Sequence, residues 1–379
     1  MVAGLALIAA SALAAAAAPA TIDTGATALS EATRLTPPPR SLSVIAGGDV
    51  LTEERVRLAA ARAGAVTGVR FDFGPMFGEV REVLEAADLA LCHMETPIGA
   101  PAGSFGNAGR SPFGGNLLHA PNEVAGGLRN VGFDRCSTAS NHANDLGTVG
   151  IDSTINALNG VGITTTGTAR SANEAAVSVF EVGRVRVAHL SYTTYSNTVV
   201  PAESWRIDHT RDPRRIAADV DAARRAGAEI VLLSLHVSTE LQTGPTVGDR
   251  SIVTSVVEMS DVDAVFMHGP HVVQPFEVIN DTPVWWSLGN FVSEMGPPST
   301  GRYASAGTSD GLLAFVRFVE RASGGFTAIT DSVAVCNDFA DRTVRTAALG
   351  LARVDLPARV RDELAQCLAR TRVLVPTAR

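Results

Sequence analysis

The chain has 379 residues, of which 46% are hydrophobic and 18% charged, with a formal net charge of −8. It is long enough to bury a sizeable core and too apolar to be disordered, and its diffuse acidity argues against nucleic acid or an anionic membrane surface as the main partner. All 31 basic residues are Arg, which excludes the chemistry that needs Lys, namely P-loop phosphate binding and Schiff-base catalysis.

Residues 2–20 are uncharged, apolar and rich in small side chains, and Ala18-Pro19-Ala20 fits signal-peptidase cleavage before Thr21. The sequence therefore predicts a signal peptide over 1–20 and an exported, secreted or envelope-associated protein. Residues 21–40 read as a linker that Pro37-Pro38-Pro39 makes stiff and extended. From residue 41 strands and helices alternate. SLSVIAGGD predicts a strand ending at Asp49, and residues 75–87 a helix with Pro75 in its first turn. Strands follow at 88–95 and 133–140. Ile151, Ile155 and Leu158 mark one face of a helix over 148–159. Residues 185–192 are a strand. Asp212 caps a helix opened by Pro213, with Ile216, Val220 and Ala223 on one face. Apolar strands at 229–236 and 263–268 flank a helix near 248–259. Strands near 272–279 and 284–288, an antiparallel pair at 312–320 and 326–335, and a terminal helix at 355–371 complete the reading. The class is α/β, with a domain over 41–335 and a helical extension over 336–379. Of the four cysteines, Cys336 and Cys367 are expected to pair as a staple for the tail, and Cys92 and Cys136 to be buried thiols on strands.

Ligands of open α/β sheets bind beyond the carboxyl ends of strands. Here five such ends carry Asp49, Glu95, Asn141-His142, His236, and His268 with His271 three residues on. Carboxylates, imidazoles and one amide oxygen suit a divalent ion such as Zn²⁺, Mn²⁺ or Fe²⁺, and bridging carboxylates can hold one or two of them. His142 is placed to protonate a leaving group. No G-x-G-x-x-G follows the first strand, so a dinucleotide-binding oxidoreductase is not supported.

GGDV (47–50), HMETPI (93–98), SYTTYSN (191–197), ASNHANDLGTVGI (139–151), SLHVSTE (234–240), MHGPHVVQ (267–274) and WSLGNFV (286–292) together resemble the CapA family, named for poly-γ-glutamate capsule biosynthesis. Its domain is similar to a calcineurin-type metallophosphatase. The resemblance implies a four-layer α/β/β/α sandwich. It implies a metal shell of Asp49, Glu95, Asn141, His236, His268 and His271, with His142 as acid or transition-state stabiliser. Asp145 either orients His142 or caps the following helix. Asn290 and Gly289 shape a loop beside the site, and Ser287 is a nucleophile candidate with no assigned base. Two departures matter. His93 stands where the family has Asn, as an extra ligand or as a buried core His. Asp49-Val50-Leu51 lacks the His of the metallophosphatase Asp-x-His, which opens a single-metal site as an alternative to two.

Two functions follow as expectations. One is a metal-dependent hydrolase of the cell envelope, cleaving a phosphoester or a γ-glutamyl or peptidoglycan-type amide, with Arg110 and Arg302 as candidate binders of substrate carboxylates. The other is a non-catalytic protein that assists poly-γ-glutamate synthesis or export beside membrane-bound capsule machinery.

Overall fold

The computed structural model describes residues 39–99, 105–237, 239–299 and 301–379. The signal segment expected over 1–20 and all but the last two residues of the linker lie outside the described residues. Along the chain run β1 (Ser41–Val50), α1 (Glu54–Thr67), α2 (Gly74–Phe77), α3 (Arg81–Glu85), β2 (Leu89–Met94), β3 (Gly106–Arg110), β4 (Asn116–His119), α4 (Glu123–Val131), β5 (Arg135–Ser137) and α5 (Gly147–Gly160). Next come β6 (Thr164–Thr166), β7 (Val179–Val182), β8 (Val185–Thr193), α6 (Pro213–Arg225), β9 (Ile230–His236), α7 (Val247–Met259) and β10 (Ala264–His268). The last part holds β11 (Phe276–Ile279), β12 (Thr282–Trp285), β13 (Asn290–Val292), β14 (Asp310–Glu320), β15 (Phe326–Asn337), β16 (Val344–Thr346), α8 (Ala347–Ala352) and α9 (Ala358–Leu374).

Two sheets form the centre. The first runs β16-β15-β14-β1-β2-β5-β6, with β13 also pairing β1, and the second runs β11-β12-β10-β9-β8-β7. Strand alternation sorts the side chains into layers. Leu42, Val44 and Ala46 of β1 meet Ile230 and Leu232 of β9 and Phe266 of β10 in one core between the sheets. Ile45 of β1 turns the other way and packs with Val56, Phe77 and Leu128 from α1, α2 and α4. Val231, Leu233 and Leu235 of β9 pack against Ile216 and Val220 of α6 and Val253 and Val256 of α7. The result is the four-layer α/β/β/α sandwich that the resemblance implies.

Several elements match their sequence cues. Asp212 caps α6 by accepting from the Arg214 N–H, and β15 pairs antiparallel along the whole of β14. Others differ. The helix expected over 75–87 is broken into α2, a 3₁₀ turn at Gly78–Val80, and α3. Gly78 is a poor helix former, and buried Phe77 docks on Phe291 at 5.4 Å. The strand expected over 133–140 spans only Arg135–Ser137, because the chain then turns toward the site.

Cys92 and Cys136 are not free thiols. They face each other in register on parallel β2 and β5, 4.5 Å apart at Cα, and form a disulfide. That spacing lies within disulfide reach, a relation between strands that linear sequence does not display. Cys336 and Cys367 pair as expected. Around them Ala347 of α8, Leu356, and Val360, Leu364 and Leu368 of α9 pack onto β15. Among the described residues no helix is long and apolar enough to cross a membrane.

Candidate functional site

The carboxyl ends of β1, β2, β9 and β10 converge at one end of the sandwich, and close backbone approach makes the convergence possible. The Asp49 N–H donates to the Gly289 carbonyl at 2.9 Å, so that β13 runs parallel beside the end of β1. A Cβ at Gly48 would collide with that carbonyl. At Gly269, with φ +100°, a Cβ would strike the Val237 carbonyl, and the Gly269 N–H donates to Asp49 Oδ2 at 3.1 Å. His271 also holds a left-handed backbone, φ +59°, an uncommon conformation for a residue with a side chain.

These turns gather Asp49, His93, Glu95, His236, His268 and His271 into one buried cluster. Their ligand atoms form three overlapping sets, Asp49–His93–His268, His93–Glu95–His236 and Asp49–Glu95–His271, with atoms of each set within 4.8 Å of one another. Asp49 Oδ1 lies 3.1 Å from His268 Nδ1, and Asp49 Oδ2 lies 3.3 Å from His271 Nδ1. His93 bridges the two sheets. Its Nε2 is 3.0 Å from His236 Nδ1, its Nδ1 is 2.8 Å from Ser137 Oγ, and its ring stacks on His268 at 4.1 Å.

Charge is distributed unevenly. Burial raises the Asp49 carboxyl, but hydrogen bonds with His268 and His271 outweigh it and hold the group well below the usual range. Burial pushes Glu95 well above its usual range. Burial, reinforced by His268 and His236, holds His93 well below the ordinary value, and burial brings His236 down to about 3. Burial also works to lower His271, but Glu95 and Asp49 prevail and lift it to about 10.

The donor set fits a divalent cation, and the structure gives a specific reason. Both Glu95 oxygens and Asn141 Oδ1 are buried with no hydrogen-bond partner. Orphaned buried oxygens are costly, and a bound cation would satisfy them. Burial keeps His93 and His236 as neutral imidazoles, the ligand form of His.

Asn141 and His142 come from the loop after β5 and line a cleft of about 300 Å³ above the cluster, with Glu53, Arg55, Glu240 and His271 on its walls. His142 Nε2 lies 4.0 Å from Glu95 Oε1, and its Nδ1 is 2.6 Å from Asp145 Oδ2. Asp145 does not cap α5, since the N-terminus of that helix has no side-chain cap. Its second bond is instead the Leu118 N–H, at 2.7 Å.

The family model described as "Bacterial capsule synthesis protein PGA_cap" matches residues 43–295. The chain belongs to the PGA_cap family. It is 26% identical over 261 residues to the PGA biosynthesis protein CapA of Bacillus subtilis strain 168, covering 66% of this chain and 62% of that one. It is 30% identical over 255 residues to the probable polyglutamine synthesis accessory protein Rv0574c of Mycobacterium tuberculosis H37Rv, covering 63% and 64%. The chain thus spans less than two thirds of these relatives' length. A solved structure of a novel phosphatase from Mycoplasma pneumoniae aligns at a TM-score of 0.45 and 12% identity, covering 79% of this chain and 94% of that one.

In this PGA_cap domain the other candidates divide clearly. Ser287 is buried and its Oγ accepts from the Gly289 N–H, so it shapes the turn. Asn290 Oδ1 lies 3.1 Å from His271 Nδ1, which makes Asn290 a direct neighbour of the cluster. Arg302 reaches the cleft but is paired with Glu240 and Tyr303, and Arg110 sits on the exposed β3–β4 hairpin, donating to the Gly114 carbonyl. Sequence reasoning missed Arg55 and Asn197. Arg55 lines the cleft and has no ion-pair partner among the described residues. The Asn197 N–H donates to the Asn141 carbonyl at 2.8 Å, and its side-chain amide lies 3.3 Å from His142 Nδ1. Asn197 had a signal, the SYTTYSN segment. Arg55 had none.

Proposed function

We propose that this PGA_cap-family protein is an exported, metal-dependent hydrolase of the cell envelope, acting in poly-γ-glutamate capsule biosynthesis on a phosphoester or on a γ-glutamyl or peptidoglycan-type amide. The observation that carries the reading is the set of orphaned Glu95 and Asn141 oxygens facing an imidazole-rich cluster at the floor of an open cleft. Asp49, Glu95, Asn141, His236, His268 and His271 would hold the ion, with His93 against them. One or two ions of the Mn, Zn or Fe kind would supply Lewis-acid charge and a water of lowered pKa there.

The protein's own groups do the rest. Asp145 fixes the His142 ring through Nδ1, which leaves Nε2 to exchange a proton with the leaving group. The Asn197 main-chain N–H holds the Asn141 carbonyl, and its side-chain amide buttresses the same ring. Arg55, which has no ion-pair partner among the described residues, is the candidate to receive a substrate carboxylate or phosphate. Glu53, Glu240 and Glu294 share the cleft wall, so an anionic substrate must bind locally rather than over a wide surface.

One observation favours the second reading, a non-catalytic assembly role. Leu51 stands where a metallophosphatase has its first-strand His, and it is buried with Leu118 and Met295. Metal analysis of purified protein, beside His268→Ala, followed by turnover of a phosphodiester and a γ-glutamyl amide, separates the two. Bound metal with turnover that His142→Ala removes supports the hydrolase. Bound metal with no turnover of either substrate class supports the assembly role. No metal after incubation with Mn²⁺ or Zn²⁺ rejects the mechanism written here.

A further inference from the structure

A second cavity, of about 580 Å³, opens where the sheets part along β6, β8 and the segment leading into β7, and it shares no lining residue with the metal cluster or its cleft. Arg135 on β5 lines it. Its neighbour Cys136 packs in the helix-side core, so alternation turns Arg135 toward the space between the sheets. Arg135 is only 6% exposed. Its guanidinium lies 4.7 Å over the Phe180 ring, Nη1 donates to Thr164 Oγ1 at 3.1 Å, and Nε has no partner.

No carboxylate comes within ion-pair distance of Arg135 among the described residues. The acids of the same cavity are engaged elsewhere: Glu174 with Arg170, Asp208 with Arg215 at 3.4 Å, and Asp219 as acceptor of the Tyr192 hydroxyl. Burial lowers the guanidinium to about 10, so it remains a cation at neutral pH. Beside it His189 spends Nε2 on Ser234 at 2.9 Å and leaves Nδ1 buried without a partner. Two buried nitrogen-bearing side chains thus line one cavity with atoms unsatisfied. An uncompensated buried cation is strongly unfavourable unless an anion joins it. The volume is that of an organic-ligand site, larger than a bare inorganic anion fills.

We propose that this cavity is a second, metal-independent binding site for a small organic oxyanion, whose carboxylate or phosphate pairs with Arg135 at the seam between the sheets. The site stands whether or not the protein is a hydrolase.

The test is calorimetry on the full chain after chelator treatment and desalting, with γ-glutamylglutamate and glycerol 2-phosphate as probes. At least one probe should bind the wild type one to one, and the tighter of the two names the source of the oxyanion. Arg135→Met should weaken binding by about tenfold or more, as expected for loss of a buried charge-assisted contact. Thr164→Glu is the second variant. Thr164 is exposed and touches Arg135, so the new carboxylate should occupy the guanidinium, raise the melting temperature and abolish binding even if Arg135→Met does not fold. Binding of neither probe to the wild type overturns the proposal, as does binding that persists in Thr164→Glu.

Discussion

His142 Nδ1 lies 2.6 Å from Asp145 Oδ2, and that same oxygen accepts the Leu118 N–H at 2.7 Å. One carboxylate therefore fixes both the ring at the cleft floor and the strand that forms a wall. Asp145→Asn keeps an oxygen for Leu118 but loses the charge that orients the ring. Turnover should fall about 10–100-fold, with metal content unchanged and the melting temperature nearly so. His142→Ala should lose about 10²–10⁴-fold. An Asp145→Asn enzyme with wild-type kcat and an unaltered pH–rate profile would remove its positioning role.

His93 has two readings that metal counting separates. If it is a ligand, His93→Ala should lower the bound equivalents or weaken the ion about tenfold or more, relative to wild type. The ion should also protect the wild type from unfolding, by about 2.7 kcal/mol at a hundredfold excess over Kd. Unchanged stoichiometry and affinity in His93→Ala would assign the residue to packing between His236 and His268.

The Cys336–Cys367 disulfide closes 31 residues and ties α9 to β15. Chain-entropy arguments give such a loop about 3–4 kcal/mol. Replacing both cysteines with Ser should lower the melting temperature by on the order of 5 °C in a chain of this size. A melt identical to wild type would place the stability of the tail in its apolar contacts alone.

Asp208 gives a pH dependence remote from the metal cluster. Burial raises its carboxyl from the ordinary value near 3.8 to about 7, although Arg215 opposes the shift. The folded state then holds a proton that the unfolded chain releases, so stability is full below about pH 4 and declines as pH rises toward 7. Its ceiling is about 4 kcal/mol, reduced by partial solvent contact. Asp208→Asn should remove this decline. Chemical denaturation at pH 5 and pH 7.5 checks it: the mutant's advantage should be larger at pH 7.5, and equal differences at both values would refute the assignment.

What the sequence determined by itself was local. Apolar runs and helix starts located β1, β8, β9, β10, β14, β15, α5, α6 and α7, because buried strands and capped helices write their burial into neighbouring residues. Polar residues at strand ends marked Asp49, Glu95, His142, His236, His268 and His271, because a sheet presents its carboxyl ends together. The helices α1 and α4 and the β3–β4 hairpin escaped that reading. Tertiary structure decided what depends on chains meeting from afar. The Cys92–Cys136 bond follows from the parallel register of β2 and β5. His93 reaches His236 only because two sheets face each other, and Arg55 enters the cleft because α1 begins at its edge. Among the described residues Arg135 is left without a carboxylate where the same two sheets part, which no pattern of neighbours along the chain records. Periodicity reports which way a side chain points on its own element. What it meets there is fixed by packing between elements distant in sequence.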